Sequence, residues 1–526
     1  MKKLFAAFLL LLANACFAQT NINVSSTTGW DTEPSLAINP TNSNNLVAAW
    51  MRVSGFTLAI GTSYSTDAGA TWSAPVTIPH LHPGFTMADV SLAFGSGGTA
   101  YMSYIDLHPS HDSGYVMLTK SFDGGMSWST PVKVISALET TDIPVDRPWI
   151  AVDNSGGAYD GNLYIVTKSA EEGTLPHHIW MKSSSDDGTT WGALQMLDDS
   201  IPSNLITNSM GVPAVGADGN VYVAYISYNP PQSPFPRMIC LKSTNGGASF
   251  IPKIIGFPAS GSAISDTLYQ GSYVLSANPA NANNLIYTFT DQRNGDPDIL
   301  SVHSNNAGNT WNTTPARVNK DATGNGVGQD MCWAGFSATG KYAVAWRDRR
   351  NTGGTSSSPF EIYAGVSTDG GNTFKPDQNL SSAASPFINI QKGNDFIGLC
   401  LDDNYVFSDW CDLRSGNTEI FVNRTPVSVF TGISGLQNAD VGMKVFPNPT
   451  SANATLQLHL RAPQFLTIDL ADMSGNVMKV IASQLFNGQD PSVYIDTNGL
   501  AAGSYLVRVQ SDGGTVIATT LLKIQR

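Results

Sequence analysis

The feature that most constrains this chain is an eight-residue pattern, Ser-x-Asp/Asn-x-Gly-x-x-aromatic, that occurs six times. The copies run from Ser65 to Trp72, Ser121 to Trp128, Ser184 to Trp191, Ser243 to Phe250, Ser304 to Trp311 and Ser367 to Phe374. Successive copies start 56, 63, 59, 61 and 63 residues apart, a period that belongs to folds made by copying one supersecondary unit. In each copy the polar residue, Asp67, Asp123, Asp186, Asn245, Asn306 or Asp369, can bond the nearby backbone while the Gly accepts positive φ. The pattern therefore closes a tight turn, and the terminal Trp or Phe folds back to cover it with apolar area.

Each copy ends a run of three short apolar strands. In the first unit these are Pro34 to Ile38, Asn45 to Trp50 and Thr57 to Ser65, and a fourth strand follows the turn, as at Val132 to Ile135 or Ala316 to Val318. Four antiparallel strands in a period of about sixty residues make a propeller blade. Counting turns gives six blades, whereas counting strands gives seven. Phe396 to Leu401, Asn404 to Trp410 and Glu419 to Asn423 have no turn pattern and no fourth partner, and the lone alternating segment Asn21-Ile22-Asn23-Val24 can complete them. Such closure removes the open edge. The fold class expected is all-β: a β-propeller, with seven blades favoured and six as the alternative, followed by a small C-terminal β-sandwich.

The turn pattern resembles the Asp box of the sialidase (BNR-repeat) family, and six copies carry the resemblance through the propeller. The box is a structural device, so the resemblance implies a fold more than an activity.

Lys2, Lys3, the apolar run Leu4 to Leu12 and the small residue Ala18 form a secretory signal peptide, residues 1–18, with cleavage expected after Ala18. No later stretch is long enough to span a bilayer. Beyond Cys16 only Cys240, Cys332, Cys400 and Cys411 remain, which is no disulfide framework. Charged residues make up 13% of the chain and the net charge is −13, which argues against nucleic acid or an anionic membrane as partner. The propeller is expected over 19–424, a linker over 425–441 and a second domain over 442–526.

Strand parity sorts the loops by face. In a four-stranded antiparallel blade the third-to-fourth connection, which holds the box, lies on one face, and the second-to-third and blade-to-blade connections lie on the other. Three groups of unusual residues fall on that second face. Asp291-Gln292-Arg293, Asp348-Arg349-Arg350 and Asp412-Leu413-Arg414 recur in consecutive second-to-third loops, each ahead of an acidic-Ile pair at Asp298, Glu361 or Glu419. Their arginines either pair within the hairpins or, as Arg293, Arg350 and Arg414, present forks to an anionic or sugar ligand. Glu33, Asp89, Asp146, Asp330 and Asp395 enter the innermost strands at places read as equivalent, with Arg147 alongside. Such a rim of carboxylates would raise one another's pKa and supply a general acid, or hold a cation such as calcium, or form a solvated border. His80, His82, His108 and His111 are either surface histidines or a transition-metal site, though their spacing fits no familiar signature.

Resemblance to sialidases implies a tyrosine nucleophile with a glutamate partner, an aspartic acid/base and three arginines gripping a carboxylate. Here Asp31-Thr32-Glu33-Pro34 stands where that family places its Phe/Tyr-Arg-Ile-Pro motif, so a glutamate replaces the arginine. Between Glu172 and Glu361 there is no glutamate. Asp89, Asp146 and Tyr405, with Tyr269 further off, stand as catalytic candidates; Arg147, Arg293, Arg350, Arg414, Glu33, Asp330 and Asp395 stand as substrate-binding candidates.

From Thr425 the grammar changes. Lys444-Val445-Phe446-Pro447-Asn448-Pro449, the turn at Asp472-Met473-Ser474-Gly475, the segment Leu500-Ala501-Ala502-Gly503-Ser504-Tyr505 and the basic end Lys523-Ile524-Gln525-Arg526 resemble the type A sorting domain of the type IX secretion system. That resemblance implies export through an outer membrane, with the secretion machinery as partner; an extracellular glycan or glycoprotein is the partner expected of the sialidase-like propeller. Two function classes remain: a glycoside hydrolase of sialidase-like type, and a non-catalytic glycan- or protein-binding adhesin. No cofactor is expected beyond the cation considered above.

Overall fold

The computed structural model describes residues 21–526 apart from 27–28, 55–56, 111–112, 171–175, 206–208, 258–272, 355–356, 388–395, 432–440, 461–462, 473–476, 488–490 and 512–515. The signal peptide, His111, Tyr269, Asp395 and the turn at Met473-Ser474-Gly475 lie outside the described residues. The chain divides into two compact units, residues 1–430 and 431–526.

The first unit is an all-β propeller. Among its described residues are seven four-stranded antiparallel sheets, whose innermost strands are Trp30–Ile38, Thr86–Phe94, Asp146–Val152, Val212–Val215, Tyr273–Ala277, Gln329–Phe336 and Ile397–Leu401. Each innermost strand packs on the next, and the seventh packs on the first, so the ring closes. Asn21–Asn23 supplies the outer strand of the seventh sheet, with Asn21 opposite Asn423 and Ile22 opposite Val422. The last strand of that sheet continues to Pro426 and runs into a helical turn, Val427–Thr431. Val427 and Phe430 are buried in the propeller core, so the segment that the sequence reads as the start of a linker is packed structure.

The six boxes share one geometry. In the first, Gly69 N–H donates to Ser65 Oγ at 2.9 Å, Ser65 Oγ donates to Asp67 Oδ1 at 2.8 Å, and Thr71 N–H donates to the same carboxylate oxygen at 2.8 Å. The sixth repeats these contacts at 3.0, 2.8 and 2.9 Å around Ser367 and Asp369. Each box also touches the preceding sheet. A Cβ on Gly125 would lie 2.6 Å from Val47, one on Gly371 2.5 Å from Ile286, and one on Gly69 3.1 Å from Phe407 of the seventh sheet. Asn45 and Asn284 complete the seam by donating to the carbonyls of Gly124 and Gly370 at 2.9 and 3.1 Å. The box thus joins neighbouring sheets as well as capping its own hairpin.

Four innermost strands open with a bulge. Ladder pairing jumps from Thr32 to Ser35, Ala88 to Ser91, Asp146 to Trp149 and Asp330 to Trp333. The residue that starts each bulge has positive φ: Glu33 at 51°, Asp89 at 51°, Arg147 at 52° and Met331 at 53°. Non-glycine residues adopt that region at a cost and concentrate there at functional sites. This register corrects the sequence alignment of the rim. Glu33 and Asp89 correspond to Arg147 and Met331, and Asp146 and Asp330 sit one residue earlier, opposite Lys168 and Arg347.

The second unit is a β-sandwich. Val441–Phe446, Asn453–Leu460 and Ser492–Asp496 form one sheet; Val477–Phe486, Gln464–Ala471, Gly503–Ser511 and Val516–Ile524 form the other. Alternating residues such as Leu456, Leu458, Leu466, Ile468, Val507 and Val509 are fully buried and make its core. Among the described residues no helix is long and apolar enough to cross a membrane, which says nothing of β-barrels.

Candidate functional site

The bulged strand entries lie at the end of the propeller opposite the boxes, beside the second-to-third connections. There the structure brings three carboxyl groups into one chain of side-chain hydrogen bonds, with Asp89 between Glu33 and Asp146. The bulge makes this possible, because positive φ turns Glu33 and Asp89 out of the pleat of their own strands. Arg147 N–H donates to Asp89 Oδ2 at 3.1 Å. Lys168, buried at the end of the strand beside Asp146, places Nζ 2.5 Å from Asp146 Oδ2.

These neighbours pull two touching carboxyls in opposite directions. Burial, then repulsion by Asp146 and their shared hydrogen bond, raises Asp89 to about 7. Burial also acts to raise Asp146, but the attraction of Lys168 and then Arg147 outweighs it and leaves Asp146 below the ordinary carboxylate range. Of the two, Asp89 is the carboxyl pushed toward keeping its proton near neutral pH, and Asp146 the one drawn toward its charged form.

Beneath this mouth the axis is filled. The Arg147 guanidinium lies 4.8 Å above the Phe396 ring, which meets Trp149 edge-on at 4.9 Å, and Trp149 packs against Trp333 at 5.5 Å.

The other candidates are placed differently. Asp330 is gripped by Arg347 at 2.7 Å and Arg349 at 3.2 Å. Burial acts to raise it, yet those guanidinia hold it below its usual range. Arg293, Arg350 and Arg414 do not present open forks, which corrects the ligand-facing alternative. The Arg293 fork is closed on Asp291 at 2.9 and 3.0 Å, and that of Arg414 on Asp412 at 2.9 and 2.6 Å. Arg350 is held by Asp348 at 3.1 and 2.7 Å and by Asp377 at 3.1 and 2.7 Å. In all three loops the same Asp also takes the Arg backbone N–H, at 2.8, 2.8 and 2.9 Å. Asp298, Glu361 and Glu419 accept from Asn294, Asn351 and Ser415 of those loops. This is a repeated hairpin brace.

Tyr405 opens the second strand of the seventh sheet, at the box end of the propeller. Its grouping with Asp89 and Asp146 is corrected: a strand length of roughly 20 Å separates the two ends, and Arg424 covers its ring at 3.8 Å. The described candidates His80, His82 and His108 are not grouped as a metal site. His82 Nδ1 is engaged by Asp106 at 2.6 Å and His108 Nδ1 by Ser110 at 2.5 Å, and both ring nitrogens of His80 are buried without a hydrogen-bond partner. Among the described residues no group of three or more His, Cys, Asp or Glu is placed to hold a metal ion. The four described cysteines are free and buried.

Lys168 is the site residue that sequence reasoning missed. Its signal was a lone cation closing the otherwise uncharged strand Leu163–Lys168.

Comparison with known proteins gives the C-terminal unit its class. Residues 444–523 match the family model described as a secretion system C-terminal sorting domain. The chain is accordingly a propeller joined to a sorting domain, exported to the cell surface or secreted. A search of curated proteins returns no match. Among solved structures, an α-L-arabinanase from Penicillium chrysogenum is similar at 12% identity, over 77% of this chain and 98% of that one, with a TM-score of 0.45. A leech intramolecular trans-sialidase is similar at 14% identity, over 78% and 70%, with a TM-score of 0.40. A Dyadobacter fermentans protein described as of unknown function is similar at 14% identity, over 66% and 96%, with a TM-score of 0.43.

Proposed function

We propose that the propeller acts on extracellular glycans at the mouth formed by Glu33, Asp89, Asp146 and Arg147, after export through the type IX machinery. The observation that carries this reading is the geometry of the mouth, where Asp89 meets Asp146 and Lys168 Nζ lies 2.5 Å from Asp146 Oδ2, so that Asp146 is drawn toward its charged form and Asp89 is raised. A carboxyl that keeps its proton near neutral pH is the group that glycosidic bond cleavage needs as general acid. Asp89 donates its proton to the glycosidic oxygen, the leaving sugar departs as an alcohol, and water completes the hydrolysis. Asp146 holds the proton on Asp89. It touches Asp89, whereas the two working carboxylates of ordinary glycosidases stand about 5 to 9.5 Å apart.

A second reading is supported by the same contact. With Tyr405 at the opposite end and the mouth carboxyls bonded to one another, no nucleophile is in place among the described residues, and the face suits a glycan-binding adhesin. The full chain, incubated with a panel of glycans and analysed for released sugars by mass spectrometry, separates the two. Turnover that Asp89→Asn lowers at least a hundredfold supports the acid role. Turnover untouched by Asp89→Asn defeats it, and binding without turnover supports the adhesin.

A further inference from the structure

Five aromatic side chains of the first unit are more than a third exposed among the described residues: Trp30 at 38%, Phe122 at 70%, Phe235 at 52%, Phe257 at 50% and Phe387 at 39%. Phe122 lies in the second box. The other four share the mouth face, in segments that topology places there: the start of an innermost strand, a second-to-third loop and two sheet-to-sheet connections.

Their order around the ring is informative. The mouth carboxyls come from the first, second and third sheets, at Glu33, Asp89 and Asp146. Phe235 and Phe257 belong to the fourth sheet, on one flank of that arc; Trp30 starts the first sheet and Phe387 precedes the seventh, on the other flank. Trp30 is three residues from Glu33 along an extended strand, about 10 Å. Hydrogen bonds fix the main chain at Phe235 and Phe257. Ser233 Oγ bonds both the N–H and the carbonyl of Phe235, at 3.2 and 2.7 Å, and Arg293 Nη2 donates to the Phe257 carbonyl at 3.2 Å.

We infer that the mouth holds an extended saccharide chain rather than one terminal sugar, with Trp30 and Phe387 stacking on one end and Phe235 and Phe257 on the other. This rests on the glycan reading above and adds the length of the ligand. A protein partner would call for a contiguous apolar patch with a dry centre. Here, among the described residues, the exposed rings come from separate sheets, the arginines of the same face are already neutralised by Asp291, Asp348 and Asp412, and the centre is polar. Isolated rings flanking a hydrogen-bonding centre match a polymer whose units have an apolar CH face and hydroxyl edges.

Calorimetric titration of the full chain carrying Asp89→Asn, with xylo-, arabino- and cello-oligosaccharide ladders of one to six units, tests the inference. Affinity in one ladder is expected to rise at least tenfold from one unit to six. Trp30→Ala and Phe257→Ala should each weaken the hexasaccharide by roughly tenfold, leave the single sugar unchanged and leave the melting temperature unchanged, with Phe122→Ala as the silent control. Equal affinity for one unit and six, or hexasaccharide binding indifferent to both substitutions, overturns the inference while the mouth survives as a single-sugar site. Failure of every saccharide to bind overturns the glycan reading and this inference with it.

Discussion

Lys168 Nζ lies 2.5 Å from Asp146 Oδ2, and that contact decides which of two touching carboxyls keeps the proton. Without the ammonium group, Asp146 would lose the largest of the attractions that keep it ionised, and Arg147 alone would remain to favour its charged form among the neighbouring cations. Lys168→Met should raise Asp146, lower Asp89 and move the alkaline arm of any activity profile to lower pH, whereas Lys168→Arg should keep the profile. A pH titration read by carbon NMR of the carboxyl groups checks this, with a shift of about one pH unit or more expected for the Met variant.

The boxes make the propeller acid-sensitive. Asp67 is lowered by its Thr71 side-chain hydrogen bond, and Asp186, lowered to about 2, by that of Thr190; burial opposes the change at Asp123 and Asp369 but hydrogen bonds prevail there too. A carboxylate depressed in the folded state stabilises above its unfolded value, and the gain is lost as pH falls through the folded value. Stability of the propeller transition should therefore decline from about pH 4 downward. Asp186→Asn, which copies the Asn245 and Asn306 boxes, should flatten its share of that decline in a series of melting curves.

Asp409 works in the opposite sense. It is fully buried in the seventh sheet, and burial pushes it to about 8 against the opposing pull of the Gly398 backbone N–H. An acid raised in this way adds no penalty below its unfolded value, and stability is lost as pH rises toward the folded one. Asp409→Asn should raise the melting temperature at pH 9 by roughly 5 °C and leave it nearly unchanged at pH 4.

Box glycines should be intolerant for two reasons at once. Gly371 has φ of 86° and no room for a Cβ beside Ile286. Gly371→Ala should cost about 1 to 3 kcal/mol, measured by denaturant unfolding. Alanine at Gly416, which also has positive φ but open space around it, should cost about 1 kcal/mol or less.

The repeat was legible because boxes are local: Ser65, Asp67 and Gly69 bond one another within four residues, so their chemistry is written in their spacing. The completion of the seventh sheet by Asn21–Asn23 could be read from an unmatched set of three strands. The face of each loop followed from strand parity. The mouth was legible only in part, since Glu33, Asp89, Asp146 and Arg147 stood out as polar residues entering apolar strands. The bulges between Thr32 and Ser35 and between Asp146 and Trp149 shift register by one residue, and no local signal distinguishes the residue that turns into the mouth from its neighbour. The partners of Arg350 were equally hidden, because Asp377 lies 27 positions away in sequence. Tyr405 was misplaced for a plainer reason: candidate chemistry outweighed its position at the box end of its strand.

The central claim is that Asp89 carries a proton near neutral pH because Asp146 beside it is held ionised. Carbon-detected NMR titration of the aspartate side chains, comparing the full chain with its Asp89→Asn variant, tests it most directly. The account predicts one carboxyl signal with a midpoint near 7 that disappears in the variant, while Asp146 titrates below its usual range. If every signal assigned to Asp89 moves below about pH 5, or the neutral-range signal persists in the variant without belonging to Asp409, the account is contradicted.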